Sequence, residues 1–260
     1  MAIDINHIML ACKHPDSCKS AALLTKRLAT AFGGKVTALC GDEAKSVIIS
    51  EAIPNLEIIS LDGSPFKVIK QKSKELNPDL IVLPISSSDA PEAILTGKEA
   101  NSIIDHIERM VLTVPAGNKD FKFDKIVVPI DTSFETRQKV PYAEVLAKKF
   151  GSTLYVLGVS SDKGKDAEVT VNNYTRQVCR NIDEQGIAFK SEISLGGNPT
   201  DITLAYAQKV GASLIIIMTE QESNLISFFS GKYSEQMVKK SNIPVLSIHP
   251  KDLIVSEARL

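Results

Sequence analysis

Short continuous apolar runs alternate along the chain with stretches whose apolar residues recur every three or four positions. Residues 126–130 (IVVPI) are a run of the first kind, as expected for a strand covered on both faces. Pro129 inside it predicts that the strand is ending or lies near an irregularity, because proline donates nothing to a ladder. Helical text follows from about Gln138 to Phe150 and stops at Gly151. Residues 154–159 read as the next strand and 165–185 as a helix, where Tyr174, Val178 and Ile182 recur at four-residue spacing. Phe189, Ser191, Ile193 and Leu195 alternate with Lys190, Glu192 and Ser194, the pattern of a strand nearer a sheet edge. Gly197-Asn198-Pro199 starts another helix: Asn is a good N-cap, and Pro suits the first helical position because its missing N–H costs nothing there. A strand at 215–217, a helix at 233–240 and a last strand at 245–248 complete the series.

The same text occurs twice. Residues 7–40 lie on 125–158 without a gap: HIMLAC falls on KIVVPI and TAFGGKVTALC on KKFGSTLYVLG. Residues 63–114 lie on 197–248, again without a gap, so that GSPFKV meets GNPTDI and TGKEANSII meets SGKYSEQMV. The shift is 118 in the first block and 134 in the second, so the later copy carries 16 more residues between the blocks. Segment 41–62 is short, whereas 159–196 has room for a full helix. A β-α-β-α pattern in each copy implies a parallel sheet with right-handed crossovers and helices on both faces. Two copies, 1–117 and 124–250, joined by a linker around 116–124 and followed by a 251–260 tail, fit the gapless self-match better than one continuous sheet. Residues 111–114 and 245–248 are the last strands of their copies, and terminal strands have unpaired edges. These two edges are expected to meet within the chain; isologous contact between chains is then a route to a homodimer.

Composition narrows the function. The chain of 260 residues is 43% hydrophobic and 23% charged, with 30 Lys+Arg against 31 Asp+Glu. This is ordinary globular composition, and a net charge of -1 gives no general attraction for nucleic acid or anionic membrane. Aromatic residues are 5% with no Trp, too few for a base-stacking platform. No apolar run reaches the roughly 18 residues of a membrane span. The opening MAIDINHIMLACKH has neither a basic segment nor a long apolar one, so it does not read as a signal peptide, and the expected compartment is the cytoplasm. The four cysteines, Cys12, Cys18, Cys40 and Cys179, form no C-x-x-C pair, so no disulfide framework is expected. Cys12, His14 and Cys18 make C-x-H-x3-C, a metal site without an evident fourth ligand; read plainly, they are two small hydrophobes and a loop histidine.

Three features carry a resemblance: the opening strand with its acidic turn, KIVVPIDTS (125–133); the G-x-P helix start, GNPTDI (197–202); and the ending GKYSEQMVKKSNIPVLSI (231–248). With them the sequence resembles a tandem universal stress protein over about residues 6–250. The resemblance implies an α/β fold of two tandem Rossmann-like domains, each a mostly parallel five-stranded sheet with helices on both faces. It also implies a nucleotide site, since many members bind ATP while others act as stress-induced regulators or binding partners. The family's acidic residue after strand one matches Asp131, and its valine at the end of strand two matches Val159. Its phosphate loop, G-x-x-G-x9-G-S/T, has Met218 and Gln221 at the first two glycine positions; only the third survives, as Gly231, followed by Lys232. In the first copy the corresponding residues are Lys13, Gly41, Pro84, Ser87, Gly97 and Lys98.

Those losses weigh against a working phosphate site. Loop glycines let backbone N–H groups approach phosphate oxygens closely, and Met218 and Gln221 restrict that, while Glu220 and Glu222 add negative charge. Gly231 at a helix start and Lys232 beside it favour an anion; Lys232 also reads as a solvated first-turn lysine, and Asp131 as a turn and N-cap residue. Neither a P-loop, nor G-x-G-x-x-G after a strand, nor G-x-S-x-G occurs, and no Ser/His/Asp arrangement is legible. The expectation is a non-enzymatic, cytoplasmic stress-response or regulatory binding protein with a degenerate nucleotide site, no required cofactor, and a protein or small molecule as partner. Any ATP or AMP is held weakly by Asp131, Val159, Gly231 and Lys232. The alternative is an ATP-binding, weakly ATP-hydrolysing member that uses the second copy.

Overall fold

The computed structural model describes residues 3–85, 95–116, 119–133, 135–219 and 233–249. In chain order the elements are β1 (His7–Cys12), α1 (Pro15–Phe32), β2 (Lys35–Cys40), α2 (Asp42–Ser50), β3 (Leu56–Ser60), α3 (Pro65–Leu76), β4 (Leu80–Ile85), α4 (Gly97–His106) and β5 (Met110–Pro115). There follow β6 (Lys125–Ile130), a 3-10 turn (Glu135–Lys139), α5 (Val140–Phe150), β7 (Thr153–Ser160), α6 (Lys165–Glu184), β8 (Phe189–Leu195), α7 (Pro199–Val210), β9 (Leu214–Met218), α8 (Tyr233–Lys240) and β10 (Val245–Ile248).

Local chemistry repeats with the copies. Helices α1, α3, α5 and α7 each carry a proline in the first turn and each end on a left-handed residue: Gly33, Asn77, Gly151 and Gly211. Asn198 caps α7 as its side-chain oxygen accepts the N–H groups of Thr200 (2.8 Å) and Asp201 (3.3 Å). Ser64, its counterpart, occupies the N-cap of α3 without such a bond. The helix expected from Gln138 begins at Val140 instead, with Pro141 in its first turn and residues 135–139 wound as the tighter 3-10 form. Pro129 is tolerated inside β6 because β6 pairs with β9 only through Ile126 and Val127, before the proline is reached. The extra residues of the second copy make α6, 20 residues long, where the first copy has α2 with 9.

All ten strands join one sheet in the order β3-β2-β1-β4-β5-β10-β9-β6-β7-β8. Each half is parallel and has the same order, so the two copies are halves of a single sheet. The seam is antiparallel: Val245 faces Thr113, Leu246 faces Leu112 and Ser247 faces Val111. The terminal-strand edges therefore meet within the chain, and Thr113 Oγ donates across the seam to the Val245 carbonyl at 3.2 Å. Edge strand β8 departs from the expected alternation: Lys190, Ser191, Glu192 and Ile193 are all exposed, because no strand covers its outer edge and Phe189, Ser194 and Leu195 at its ends are only half-buried.

Two hydrophobic layers sandwich the sheet. Ile8, Leu10, Val36, Val128 and Val156 turn to one face, under α1, α2, α5 and α6. Met9, Leu39, Ile81, Val127 and Ile215 turn to the other, under α3, α4, α7 and α8. The segment read as a linker belongs to this core: Phe121 and Phe123 are buried, and the Phe123 ring lies 4.5 Å from that of Phe150. Asp120 adds an ion pair to Arg27 of α1 at 2.8 Å.

Candidate nucleotide site

In the second copy, Ile130 of β6 pairs with Gly158 of β7. One residue further along, Asp131 and Val159 stand abreast at the carboxyl ends of these strands. The neighbour of β6 on its other side is β9, so Asp131 stands where strand order reverses, the crevice in which open α/β sheets take their ligands. Val159 is buried. The Asp131 carboxylate closes a local turn: Oδ1 accepts the Ser133 N–H at 2.7 Å and the Ser133 hydroxyl at 2.6 Å. The turn and ligand readings of this residue are thus compatible, since Ser133 occupies Oδ1 and no hydrogen bond among the described residues occupies Oδ2.

Behind Asp131 lies a buried lysine that sequence pattern does not single out. Lys139 is 2% exposed. Its ammonium donates to the Thr136 carbonyl at 2.6 Å and to Thr136 Oγ1 at 3.0 Å, and the same Oγ1 accepts the Asp131 N–H at 3.1 Å. Burial lowers the Lys139 pKa to about 8, against the attraction of Asp131. Thr136 therefore holds both the backbone of the acidic turn and a cation at the ligand end of β6. Gly231 and Lys232, like Glu220, Gln221 and Glu222, lie outside the described residues, so two of the four candidate residues are brought together and the other two have no described position.

In the first copy the corresponding base-side positions hold Lys13 and Gly41. Gly41, at the valine position, donates its N–H to the Cys12 carbonyl at 3.0 Å. A Cβ on Gly41 would lie 3.0 Å from the Lys13 carbonyl oxygen, so the residues corresponding to the base-side pair pack directly on each other. At α4, Thr96 Oγ1 accepts the Glu99 N–H at 3.2 Å, while the Glu99 carboxylate accepts the Thr96 N–H at 2.9 Å. This capping box puts the chain's own carboxylate at the helix N-terminus where a phosphate would bind. Its T-x-x-E signal was legible at Thr96–Glu99. Gly97, which corresponds to Gly231, serves packing: a Cβ there would come within 3.3 Å of the Lys239 Cα on α8.

Two expectations need correcting. Cys12 and Cys18 form a disulfide with a Cα–Cα distance of 5.5 Å, within the usual range, although no C-x-x-C spacing announced it. The strand-to-helix turn folds the end of β1 back on the first turn of α1 and brings the two sulfurs together. Cys12 and Cys18 are therefore not just two small hydrophobes, and the bridge removes both as thiolate ligands. Among the described residues no group of three His, Cys, Asp or Glu is arranged to hold a metal ion.

A groove of about 680 Å³ lies elsewhere, between α5 and α6, with Arg137, Gln138, Pro141, Gln177, Arg180 and Glu184 in its lining. It is formed by helix surfaces and does not include Asp131 or Val159. Two of its side chains are already engaged with each other and with an aromatic face, since Arg137 donates to Gln177 and stacks 4.0 Å from the Tyr174 ring. Among the described residues no helix is long and apolar enough to cross a membrane.

Comparison with known proteins agrees with this architecture. The model of the universal stress protein family matches residues 122–249. A universal stress protein of Methanocaldococcus jannaschii is 26% identical over 145 residues, covering 50% of this chain and 85% of that protein. The crystal structure of a universal stress protein from Archaeoglobus fulgidus superposes with a TM-score of 0.72 at 19% identity, covering 95% of this chain and 100% of the other. Another structure from Archaeoglobus fulgidus, a universal stress protein in complex with dAMP, covers 48% of this chain and 98% of the other at 21% identity, with a TM-score of 0.40. Residues 122–249 match the universal stress protein family, and the chain as a whole has the fold of a solved universal stress protein.

Proposed function

We propose that the chain is a non-enzymatic, cytoplasmic stress-response binding protein, with 1–117 and 124–250 as its domains and any nucleotide held in the second. The carrying observation is the contrast between the copies. The first has Lys13 and Gly41 at the base-side positions and fills its helix N-terminus with Glu99. The second keeps Asp131 abreast of Val159, with Oδ2 available to a donor such as a nucleoside hydroxyl or exocyclic amine. Recognition then rests on the base and sugar, and Met218, Gln221, Glu220 and Glu222 keep phosphates from adding affinity. Buried Lys139 beside Asp131 favours the second reading, an ATP-binding and weakly hydrolysing protein that uses Gly231 and Lys232, because it places positive charge at this end of the sheet.

Calorimetry with adenosine, AMP and ATP separates the two. Base recognition alone predicts dissociation constants within about threefold of one another, since added phosphates gain less than the roughly 1.4 kcal/mol that a tenfold change represents. Asp131→Ala should weaken all three equally. Micromolar ATP binding, tenfold or more tighter than adenosine and lost in Lys232→Ala, would overturn the degenerate-site reading.

A further inference from the structure

A third sulfur lies beside the Cys12–Cys18 bridge. Cys12 ends β1 and Cys40 ends β2, and the two are register partners across parallel strands. Neighbouring strands lie about 4.8 Å apart, so the Cα atoms of Cys12 and Cys40 meet the same geometric requirement that Cys12 and Cys18 meet at 5.5 Å. All three cysteines are wholly buried and belong to one apolar layer, on the sheet face covered by α1 and α2. The Gly41 N–H bound to the Cys12 carbonyl keeps the two strand ends together at this point. Cys179 belongs to α6 of the other copy and is remote from them in the strand order.

We propose that Cys12, Cys18 and Cys40 form one thiol–disulfide exchange site, in which the bridge moves between Cys12–Cys18 and Cys12–Cys40. In the exchange, the Cys40 thiolate attacks Sγ of Cys12. The Cys12–Cys18 bond breaks, the Cys12–Cys40 bond forms, and Cys18 leaves as a thiolate that takes up the proton Cys40 released; there is no net oxidation. Complete reduction uses an external dithiol, which becomes its own disulfide as Cys12 and Cys18 each gain a hydrogen. Burial pushes the Cys40 thiol up, so exchange proceeds when the cover of α1 and α2 opens and not in the closed state.

The two bonded forms hold different parts of the fold. The Cys12–Cys18 bond ties the first turn of α1 to β1 and fixes the turn at residues 13–17. The Cys12–Cys40 bond releases that turn and locks the ends of β1 and β2. This is the turn that corresponds to the Asp131–Ser133 turn of the second copy, where hydrogen bonds alone do the same work. In a reducing compartment such a bridge persists as a regulatory element more readily than as a structural one. The proposal is independent of whether the second copy holds a nucleotide.

Trypsin cleaves after Lys13, Lys19, Lys35 and Lys45, which puts the three cysteines on separate peptides and makes each pairing distinguishable by mass. The full chain is equilibrated in a glutathione redox buffer, quenched with N-ethylmaleimide under denaturing conditions, digested and mapped. The wild type should give a Cys12–Cys18 peptide pair, with Cys40 and Cys179 alkylated, and all four alkylated after dithiothreitol. Cys18→Ser should shift the oxidised product to Cys12–Cys40 in most molecules, and Cys40→Ser should leave Cys12–Cys18 unchanged. Cys18→Ala, which buries no hydroxyl, replaces the serine variant if circular dichroism shows the latter misfolded. Four alkylated thiols in the oxidised wild type, or a folded Cys18 variant that forms no Cys12–Cys40 bond, overturns the proposal.

Discussion

Lys139→Met tests the electrostatics behind the acidic turn. The folded-state pKa of about 8 lies roughly 2.5 units below the ordinary lysine value of 10.5, so burying the charged form costs about 3 kcal/mol at neutral pH. Methionine keeps the apolar stem and removes that cost. It also removes two hydrogen bonds from a charged donor to Thr136, worth about 1.5 kcal/mol each or more. At pH 7 the variant should therefore be no more than about as stable as the wild type. The balance changes with pH. Above the folded pKa the native lysine is neutral while the unfolded one still binds a proton, so wild-type stability rises, relative to the variant, by about 1.4 kcal/mol per unit between roughly pH 8 and 10.5. By pH 9.5 the wild type has recovered about 2 kcal/mol and should be the more stable protein by at least about that amount. Below pH 8 the cost is complete and the difference is flat. Urea unfolding of both proteins at pH 7 and pH 9.5 measures this directly, and the difference between them cancels groups common to both. A difference that does not change between these pH values would refute the argument that burial disfavours the charged form of Lys139.

Asn198→Ala should destabilise by about 1 kcal/mol in chemical denaturation because its oxygen caps α7, whereas Ser64→Ala at the equivalent start of α3 should cost only a few tenths. Phe123→Ala should cost about 3 kcal/mol, as expected of a core residue and not of an inert tether, read as a lowered urea midpoint with little change in slope.

Most of the fold was legible because two periodicities and a self-match carry it. Gapless alignment of 7–40 on 125–158 fixed the order of elements, and the Asn198-Pro199 start of α7 and the Gly151 end of α5 marked limits that the structure keeps. Less could be read where tertiary placement decides. Nothing in the run ETRQK distinguishes a 3-10 turn from the first turn of a helix, and Lys139 carries the signature of a solvated residue although it is buried and bonded to Thr136. The Cys12–Cys18 bridge escaped because a sequence shows spacing, not the reversal of direction at a strand end. The candidate site divides the same way. Asp131 and Val159 stand at the ends of strands that the self-match located, whereas the close approach of Gly41 to Lys13 is a contact that residue identity alone does not reveal.

The antiparallel seam between β5 and β10 sets the directions of the two halves. Strands of the first copy run towards one end of the sheet and those of the second towards the opposite end. The Cys12 turn and the Asp131 turn therefore open on opposite ends of the molecule, out of reach of any one small ligand. Signals arriving at the two ends, a change of thiol state at one and an occupant at the other, have as routes the ten shared strands, α4 and α8, which pack together across the seam, and Lys149 of α5, which donates to the Ala31 carbonyl of α1. A partner that senses both must grip the sheet from its two ends; one that senses a single end receives a one-sided message from a double-ended protein.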